Sequence, residues 1–455
     1  MGAGPRPRAA GRDGPRTMTT PVVLLVSLNF PPSQIASVHR ARHLAKHLPS
    51  LGWRPIVVTV DERYQKEPID PGLGELVSPS IEVHRVSAAP LILTQPFGLG
   101  DLSLRSLLTV RRKIRQLIES QKPSVAFLTG WPFYQMLLSA EIEKHGVPVV
   151  LDFQDPWVSN YGAKQPIWSK AGITHRLAVH FEPRAVRAAS FVTSVSETQN
   201  IEMAKRYSWL DSSRMAAIPI GGDPDDFLNL RSQSVQLPTG VIDRRYSNVS
   251  FVGTIMPRSG PLVKLVLSGL DRLRRQSPDV GERIRLNFIG TSNQSRGKME
   301  YRALAIAREV GVACAVHEIP QRLPFMQALS VLIQSECVLL IGSDEPHYTA
   351  SKIYPALMSG RPFLSLFHRT SSSYEILSAA GGGFSHAYAD GRSDEEIDKA
   401  IAASLYKIAT QPDALGRVNP SAYAPYEARA IARQYADIFA KVSAERPIKR
   451  SPAFE

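Results

Sequence analysis

The chain has 455 residues, 43% of them hydrophobic, and a formal net charge of +13 at pH 7. This length predicts two or three domains, and the hydrophobic fraction is ordinary for a globular protein. No apolar run reaches the ~18 residues that a membrane-spanning helix needs, so the sequence predicts no such helix.

The excess of basic residues raises two classes of anionic partner, nucleic acid and an acidic membrane surface. The basic residues are spread along predicted helices, as in the RRKIR run at 111–115. The sequence contains neither a zinc-ligand spacing nor a segment of interleaved aromatic and basic residues that would bind RNA. We therefore expect no nucleic-acid partner, and we leave weak contact with anionic lipid headgroups open.

Cysteine usage and the N-terminal composition indicate the compartment. Cys314 and Cys337 both lie in apolar segments, which predicts buried thiols in a reducing compartment. We therefore expect a cytoplasmic protein, with peripheral attachment to the inner face of a membrane left open. Residues 1–17 are rich in Gly, Pro and Arg and lack an apolar core, which indicates a disordered basic arm rather than a signal peptide.

The first half of the chain alternates continuous apolar runs with amphipathic segments. The amphipathic stripe of 104–118 is typical of a helix. Continuous apolar runs are typical of strands that are covered on both faces of a parallel sheet. These predicted strands are 21–27, 53–60, 124–129, 147–153 and 190–194.

The predicted strand at 147–153 leads directly into Gln154 and Asp155. Ligands of open parallel sheets bind beyond the carboxyl ends of the strands. Asp155 is therefore a candidate to orient a hydroxyl group or to act as a general base. The alternative is that Asp155 caps the helix that follows.

The strand–helix alternation divides into two domains. We expect a first domain at 18–230, a polar linker without clear periodicity at 231–246, and a second domain at 247–422. The last segment, at 423–445, carries apolar residues at helical spacing and predicts a terminal helix.

The segment from Cys337 to Gly383 predicts a strand–helix–strand unit. Lys352 stands at the mouth of the intervening helix, and a serine cluster at 371–373 opens the next helix. Free amides at a helix start, together with one lysine, make an anion site. We therefore expect a phosphate or another anion to bind here.

This segment resembles the donor-binding core of glycosyltransferase family 4, a group with the GT-B fold. The matching residues are Ser351, Lys352, Leu357, Gly360, Pro362, Glu375 and Ile376. The resemblance extends loosely over residues 20–440. It implies an α/β protein in which two Rossmann-like, doubly wound parallel-sheet domains face a cleft, and in which the terminal helix crosses back to the first domain.

The resemblance also implies the activity. The expected enzyme is a hexosyltransferase-like glycosyltransferase, which transfers a sugar from a UDP- or GDP-linked donor to an unidentified glycan or lipid-linked acceptor with retention of configuration. Such an enzyme would serve cell-surface glycan or glycolipid synthesis, and the family generally needs neither a metal ion nor another cofactor.

The resemblance assigns roles to individual residues. Lys352 and Arg258 would neutralise the departing diphosphate, with Asp155 as the third catalytic group. The further donor-side candidates are Ser351, His347, Ser372, Ser373 and Glu375, and the acceptor-side candidates are Gln154, Asp155, His39 and Arg40. Two alternatives stay open: His39 as an ordinary surface histidine and Arg258 as a solvated loop residue.

The sequence departs from the family at the family's two glutamate positions, where His347 and Pro355 stand. Neither can act as a carboxylate, although the imidazole of His347 could bond a sugar hydroxyl or a phosphate. Pro355 clashes with a regular helix that starts at Ser351. We therefore predict that this helix begins late, near Tyr354, or is kinked, which leaves Lys352 in the preceding loop.

The departure leaves other function classes open. The first is another GT-B enzyme, such as a nucleotide-sugar epimerase, which would also need diphosphate contacts. The second is a catalytically silent GT-B scaffold. The third is a nucleic-acid-binding protein, which the charge distribution makes the weakest of the three.

Overall fold

The structure is a computed structural model that describes residues 20–66, 68–232, 235–292, 300–343, 350–389 and 392–445. The expected basic arm at 1–17 and the candidate His347 lie outside the described residues.

The first domain contains a seven-stranded sheet, in which every described pair of strands is parallel. The strand order is β3-β2-β1-β4-β5-β6-β7, so the chain reverses direction across the sheet between β1 and β4. A crevice opens at such a reversal, and ligands of doubly wound sheets bind there. The strands are Val22–Val26 (β1), Arg54–Val60 (β2), Glu82–Val86 (β3), Val125–Thr129 (β4), Val149–Phe153 (β5), Phe191–Ser194 (β6) and Met215–Ala217 (β7).

Helices cover both faces of this sheet and bury the apolar runs that predicted the strands. Every residue of β1, β4, β5 and β6 is buried. The helices are Val38–His47 (α1), Pro71–Glu75 (α2), Leu91–Thr94 (α3), Leu102–Gln121 (α4), Ser139–Lys144 (α5), Asn160–Ala163 (α6), Lys170–Arg187 (α7), Glu197–Arg206 (α8) and Pro224–Ser232 (α9).

The second domain repeats the architecture with a six-stranded parallel sheet in the order β10-β9-β8-β11-β12-β13. Its direction reverses between β8 and β11, the strand that leads towards Lys352. The strands are Ser247–Val252 (β8), Ile284–Ile289 (β9), Val316–Ile319 (β10), Cys337–Ile341 (β11), Phe363–His368 (β12) and Gly383–Tyr388 (β13). The helices are Gly260–Gln276 (α10), Pro278–Gly281 (α11), Arg302–Val310 (α12), Phe325–Gln334 (α13), Ile353–Met358 (α14), Ser372–Ala380 (α15), Asp394–Thr410 (α16), Pro420–Tyr423 (α17) and Ala428–Ala444 (α18).

Helix α18 returns to the first domain and completes its core. Ile431, Tyr435 and Phe439 are buried in one cluster with Phe127 of β4. The Tyr435 hydroxyl donates to Oδ1 of Asp152 at 2.8 Å. The first domain is therefore packed against the last helix of the chain.

Two further observations concern the whole chain. None of the described helices is long and apolar enough to cross a lipid bilayer. Cys337 is buried, as predicted, but Cys314 is exposed. The prediction was wrong for Cys314 because the residue lies in the short turn Ala313–Ala315 between α12 and β10 rather than inside an element.

Candidate active site

A cavity of about 260 Å³ lies between the two domains, beside both sheet reversals. Its walls come from the start of α1, the segment before α9, the ends of β8 and β9, and the loops before α13 and α14. The polar residues among those that line it are Gln34, His39, Arg42, His43, Asp223, Asp226, Thr254, Arg322, Ser351 and Lys352. Of the sequence-predicted candidates, the structure therefore brings His39, Ser351 and Lys352 together.

Lys352 is partly buried and points from the start of α14 towards the end of β8. Its Nζ donates to the Thr254 carbonyl at 3.0 Å and lies 4.8 Å from the ring centroid of Phe251. Desolvation, with a further contribution from the charge of Arg322, lowers the pKa of Lys352 to about 8. A lysine whose charge is this poorly solvated gains more from a bound anion than a lysine in water would.

Gly253 makes room for this lysine. Its φ is +136°, a conformation that side chains rarely adopt, and a Cβ there would lie 2.3 Å from Cε of Lys352. The loop after β8 therefore needs glycine both for its backbone path and for the close approach of the lysine.

The late helix start that Pro355 predicted is confirmed, because α14 begins at Ile353 and Lys352 is its cap residue. Pro355 takes the third position of the helix, where the backbone N–H has no partner within the helix. The proline is thus accommodated in the first turn, and it also lines the cavity.

Arg322 is a site residue that sequence analysis missed. Its Nη2 donates to Oγ1 of Thr254 at 3.4 Å, so Arg322 and Lys352 converge on one residue from two loops. Desolvation lowers the pKa of Arg322. Its position after β10 was the available signal, because ligand contacts cluster at the carboxyl ends of parallel strands.

His39 faces the second domain across the cavity. Its ring packs on Phe325 with centroids 4.8 Å apart, and Arg42 Nη2 lies 3.3 Å from His39 Nδ1. Because a guanidinium only donates, this contact favours Nδ1 as the acceptor and the neutral tautomer with its hydrogen on Nε2. Desolvation and then the charge of Arg42 lower the pKa of His39 to about 3. At neutral pH, His39 is a hydrogen-bond donor without charge.

Arg40, the neighbour of His39, turns the other way into the core. Its guanidinium is buried, forms an ion pair with Asp152 at 3.2 Å and donates to the carbonyls of Ile218 and Pro219. These contacts occupy the groups that an acceptor would need. The expected acceptor contact of Arg40 is therefore replaced by a structural role.

Gln154 and Asp155 follow β5 but differ in exposure. Gln154 is buried and its Nε2 donates to Oγ1 of Thr129 at 2.9 Å and to the Ser37 carbonyl at 3.1 Å. Asp155 is open to solvent, yet the surrounding protein desolvates its carboxylate and raises its pKa to about 6. Neither residue is among the described residues that line the cavity. Asp155 therefore has a pKa that suits proton transfer, but it lies outside the part of the cavity wall that the described residues form.

The remaining donor-side candidates lie apart from the cavity. Arg258 is exposed in the turn Pro257–Ser259 before α10, and Ser372 and Glu375 are exposed on α15. Ser373 is buried, and its Oγ accepts a hydrogen bond from the Ala350 N–H at 3.0 Å. Ser373 therefore fixes the end of the loop that leads into Lys352 rather than facing the cavity.

Two acidic residues at the cavity wall lie with His43 close enough together to share a metal ion, namely Asp223 and Asp226. Each carboxylate already has a cation. Lys46 Nζ lies 2.8 Å from Asp223 Oδ2, and Arg42 Nη2 lies 2.6 Å from Asp226 Oδ2. The arrangement fits an ion-pair network that fixes α1 against the segment before α9.

Comparison with known proteins agrees with this architecture. The family model described as Glycosyl transferase 4-like domain matches residues 37–221, which lie in the first domain. No curated protein matches the sequence of the chain.

Solved structures of the same fold cover nearly the whole chain. The chain is similar to HepE of Anabaena in complex with UDP-glucose, with 17% identity, 92% of this chain and 99% of that chain covered, and a TM-score of 0.56. It is similar to the trehalose 6-phosphate synthase of Burkholderia multivorans, with 11% identity, 94% and 100% covered, and a TM-score of 0.60. It is also similar to a putative UDP-N-acetylglucosamine 2-epimerase of Listeria monocytogenes, with 12% identity, 94% and 98% covered, and a TM-score of 0.54.

These likenesses and the two parallel sheets define the fold: the chain has the GT-B fold. The expected resemblance to the glycosyltransferase 4-like group is confirmed through residues 37–221.

Proposed function

We propose that the protein is a glycosyltransferase that moves a sugar from a UDP- or GDP-linked donor to a glycan or lipid-linked acceptor in cell-surface glycan or glycolipid synthesis. The observation that carries the proposal is the convergence of Lys352 and Arg322 on Thr254 inside the interdomain cavity. The family match and the fold shared with a UDP-glucose-bound protein support a nucleotide-sugar as donor.

The two cations suit a diphosphate for complementary reasons. Lysine offers a point charge, whereas the planar fork of arginine can donate two parallel bonds to phosphate oxygens. During transfer, the bond between the anomeric carbon and the diphosphate oxygen breaks, and negative charge grows on that oxygen. Cations that are already held in place stabilise this charge in the transition state. Lys352 and Arg322 therefore act on the leaving group.

Two first-domain residues are assigned to the sugar and the acceptor. His39 presents its Nε2–H as a neutral donor for a sugar hydroxyl. Asp155, whose pKa is raised to about 6, is largely ionised at pH 7 and suits the role of a base that takes the acceptor proton. Retention of configuration is part of the proposal through the family resemblance. A cytoplasmic location is also part of it, supported by the two free thiols of Cys314 and Cys337.

A second candidate activity is epimerisation of a nucleotide-sugar, which the likeness to the Listeria protein suggests. Both activities need the diphosphate contacts, so binding of a nucleotide does not separate them. Incubation with UDP-linked sugars without an acceptor does: an epimerase converts the sugar, whereas a transferase leaves it intact apart from slow hydrolysis.

Calorimetric titration of UDP and GDP, followed by mass spectrometry of a panel of nucleotide-sugars, tests the proposal. We expect Lys352→Met and Arg322→Met each to weaken binding of the preferred nucleotide about 10–100-fold, because a hydrogen bond to a charged group contributes ~1.5–3 kcal/mol. Arg258→Met is the matched comparison, since Arg258 is exposed and outside the cavity lining. If it weakens binding as much as Arg322→Met, the assignment of the second cation to Arg322 is wrong. Binding of neither nucleotide by the native chain would contradict the proposal and favour a silent GT-B scaffold.

A further inference from the structure

The first domain exposes a cluster of large apolar side chains on α6, α7 and the segment between them. Trp168 is 86% exposed, and the others are between 41% and 65% exposed. We call this cluster the α6–α7 surface; its apolar members are Tyr161, Ile167, Trp168, Ile173, Leu177 and Val179. Exposed apolar residues that stand singly need no explanation, but six within one short segment of chain indicate a partner.

The exposed charges within the stretch of chain that carries these residues all have one sign. Five cations between residues 160 and 187 are exposed, while the one acidic residue of that stretch, Glu182, is buried and bonded to Arg206 at 2.8 Å. The α6–α7 surface thus combines apolar groups with positive charge and has no exposed carboxylate of its own. The cations are Lys164, Lys170, Arg176, Arg184 and Arg187.

Helix α7 lies with one face on the core and the opposite face in solvent. Ala178, Ala185 and Val186 are buried. At 100° per residue, Ile173, Leu177 and Arg184 fall on the opposite side, so apolar and basic side chains share the outward face. Trp168 lies just before the start of this helix.

We propose that the α6–α7 surface docks the protein onto an anionic lipid bilayer. Tryptophan and aliphatic side chains that insert at the headgroup boundary, flanked by Lys and Arg that attract acidic lipids, are the combination that holds peripheral proteins at a membrane. Nucleic acid would use the cations but leave the aliphatic side chains without partners. A protein partner or a second copy would have to bring carboxylates that the α6–α7 surface itself lacks.

The position of this surface also bears on the class of acceptor, an inference that rests on the proposed function. The segment that carries it starts within six residues of Asp155, at the carboxyl edge of the first sheet. Docking through it brings the acceptor side of the cleft next to the bilayer. The acceptor class that this placement favours is a lipid-linked one, which can reach the cleft while its chain stays in the membrane.

Co-sedimentation of the full chain with vesicles tests the docking itself. One vesicle preparation is phosphatidylcholine alone and the other contains phosphatidylglycerol as well. We expect binding to the second preparation only, and a decrease in that binding as salt rises. Equal binding to both preparations, or to neither, would overturn the proposal.

Variants locate the contact. Two double variants, Trp168→Ser with Ile173→Ser and Arg176→Glu with Arg184→Glu, should each reduce vesicle binding more than about tenfold. The first removes side chains that insert at the headgroup boundary. The second reverses two charges, and each basic residue near an acidic membrane adds about a factor of five. Tyr406→Ser and Lys399→Glu are the matched controls, because both residues are exposed on α16 of the second domain, and they should change nothing. Undiminished binding by the two double variants would refute the assignment.

Two further measurements distinguish insertion into lipid from self-association. Quenching of tryptophan emission by brominated lipid should be reduced in Trp168→Phe; unchanged quenching would contradict insertion of this side chain. A concentration-dependent dimer that forms without lipid and disappears in the Trp168 variant would instead identify a second copy as the occupant. Calorimetric titration with UDP should be unaffected in the surface variants, so failure of docking and failure of the proposed transferase activity remain distinguishable.

Discussion

Raising the pH from 7 to 9 should weaken nucleoside diphosphate binding, because Lys352 loses its charge in this interval. Burial and the neighbouring Arg322 lower the pKa of Lys352 to about 8. In the protein without nucleotide, the charged fraction of Lys352 then falls from about nine tenths at pH 7 to about one tenth at pH 9. If the diphosphate binds only the charged form, the affinity falls about tenfold, or ~1.4 kcal/mol.

The matched variant is Lys352→Met, which keeps most of the unbranched side chain and removes the charge. It should bind UDP or GDP more weakly at pH 7, and its affinity should change little between pH 7 and pH 9. Arg322 stays charged in both proteins because arginine does not lose its proton in this range. Calorimetric titrations at pH 7, 8 and 9 in two buffers of different ionisation enthalpy would also show proton uptake on binding to the native protein.

Stability should change in the opposite direction. The pKa of a lysine side chain in water is 10.5, whereas that of Lys352 in the folded chain is about 8, so between these values the unfolded state binds the proton and the folded state does not. The free energy of unfolding therefore rises with pH across this interval, by about 3 kcal/mol from this group. Below pH 8 the folded chain bears the full free-energy cost of a charged, desolvated Lys352. Lys352→Met should therefore be the more stable protein there.

Urea unfolding of the native and Lys352→Met proteins at pH 7.5 and pH 9.5 measures this contribution as a difference, which cancels the titration of all other groups. The reasoning would be refuted if the native protein and the variant showed the same dependence of nucleotide affinity on pH. It would equally be refuted if Lys352→Met were less stable than the native protein at pH 7.5.

Three other perturbations test separate parts of the site and its support. Asp155→Asn should remove an acidic limb near pH 6 from the pH profile of kcat/KM, because desolvation raises the pKa of this carboxyl to about 6; a limb that persists in the variant assigns the base elsewhere. Gly253→Ala should weaken nucleotide binding through displacement of Lys352, whereas Gly311→Ala, which also has a positive φ but open space around its Cβ position, should affect stability alone. Tyr435→Phe removes a buried hydrogen bond to a carboxylate and should lower the free energy of unfolding by ~1–3 kcal/mol in urea titrations without changing nucleotide affinity.

Much of the fold was predictable because both sheets are parallel and covered on both faces. Strands of this kind are continuous apolar runs, and the first strand of the unit predicted from Cys337 is β11. Helix α9 was not predicted, and its last two residues extend into the segment at 231–246 that was interpreted as a polar linker. Strand β13 was missed because it lies at the sheet edge and begins at Gly383. A Cβ at that glycine would lie 2.3 Å from the Phe363 carbonyl oxygen, so the close approach of β12 requires glycine at this position.

Residues of the site were predictable only where a local sequence pattern marked them. Lys352 stands beside a helix start, which is a feature of the sequence itself. Arg322 reaches Thr254 from a loop 68 residues away along the chain, and this proximity depends on the order β10-β9-β8 in the sheet. His39 and Arg40 are adjacent in sequence, but neighbours on a helix point about 100° apart. One of the pair could therefore face the cavity while the other entered the core, and the pattern did not distinguish them.

Pro355 stands where the family has a glutamate, and it shows that the requirements of the fold differ from those of donor recognition. A proline at the third position of α14 costs no helix hydrogen bond, so the replacement of a carboxylate there leaves the helix and Lys352 in place. It does change the cavity, because the wall that Pro355 lines has an apolar ring where a hydroxyl-binding carboxylate would stand. In the proposed enzyme, the described part of this wall holds the diphosphate by charge and leaves the sugar's hydroxyls to groups such as His39 across the cavity. Since His39 belongs to the first domain and Lys352 to the second, recognition of a whole donor then depends on both domains being in contact with it.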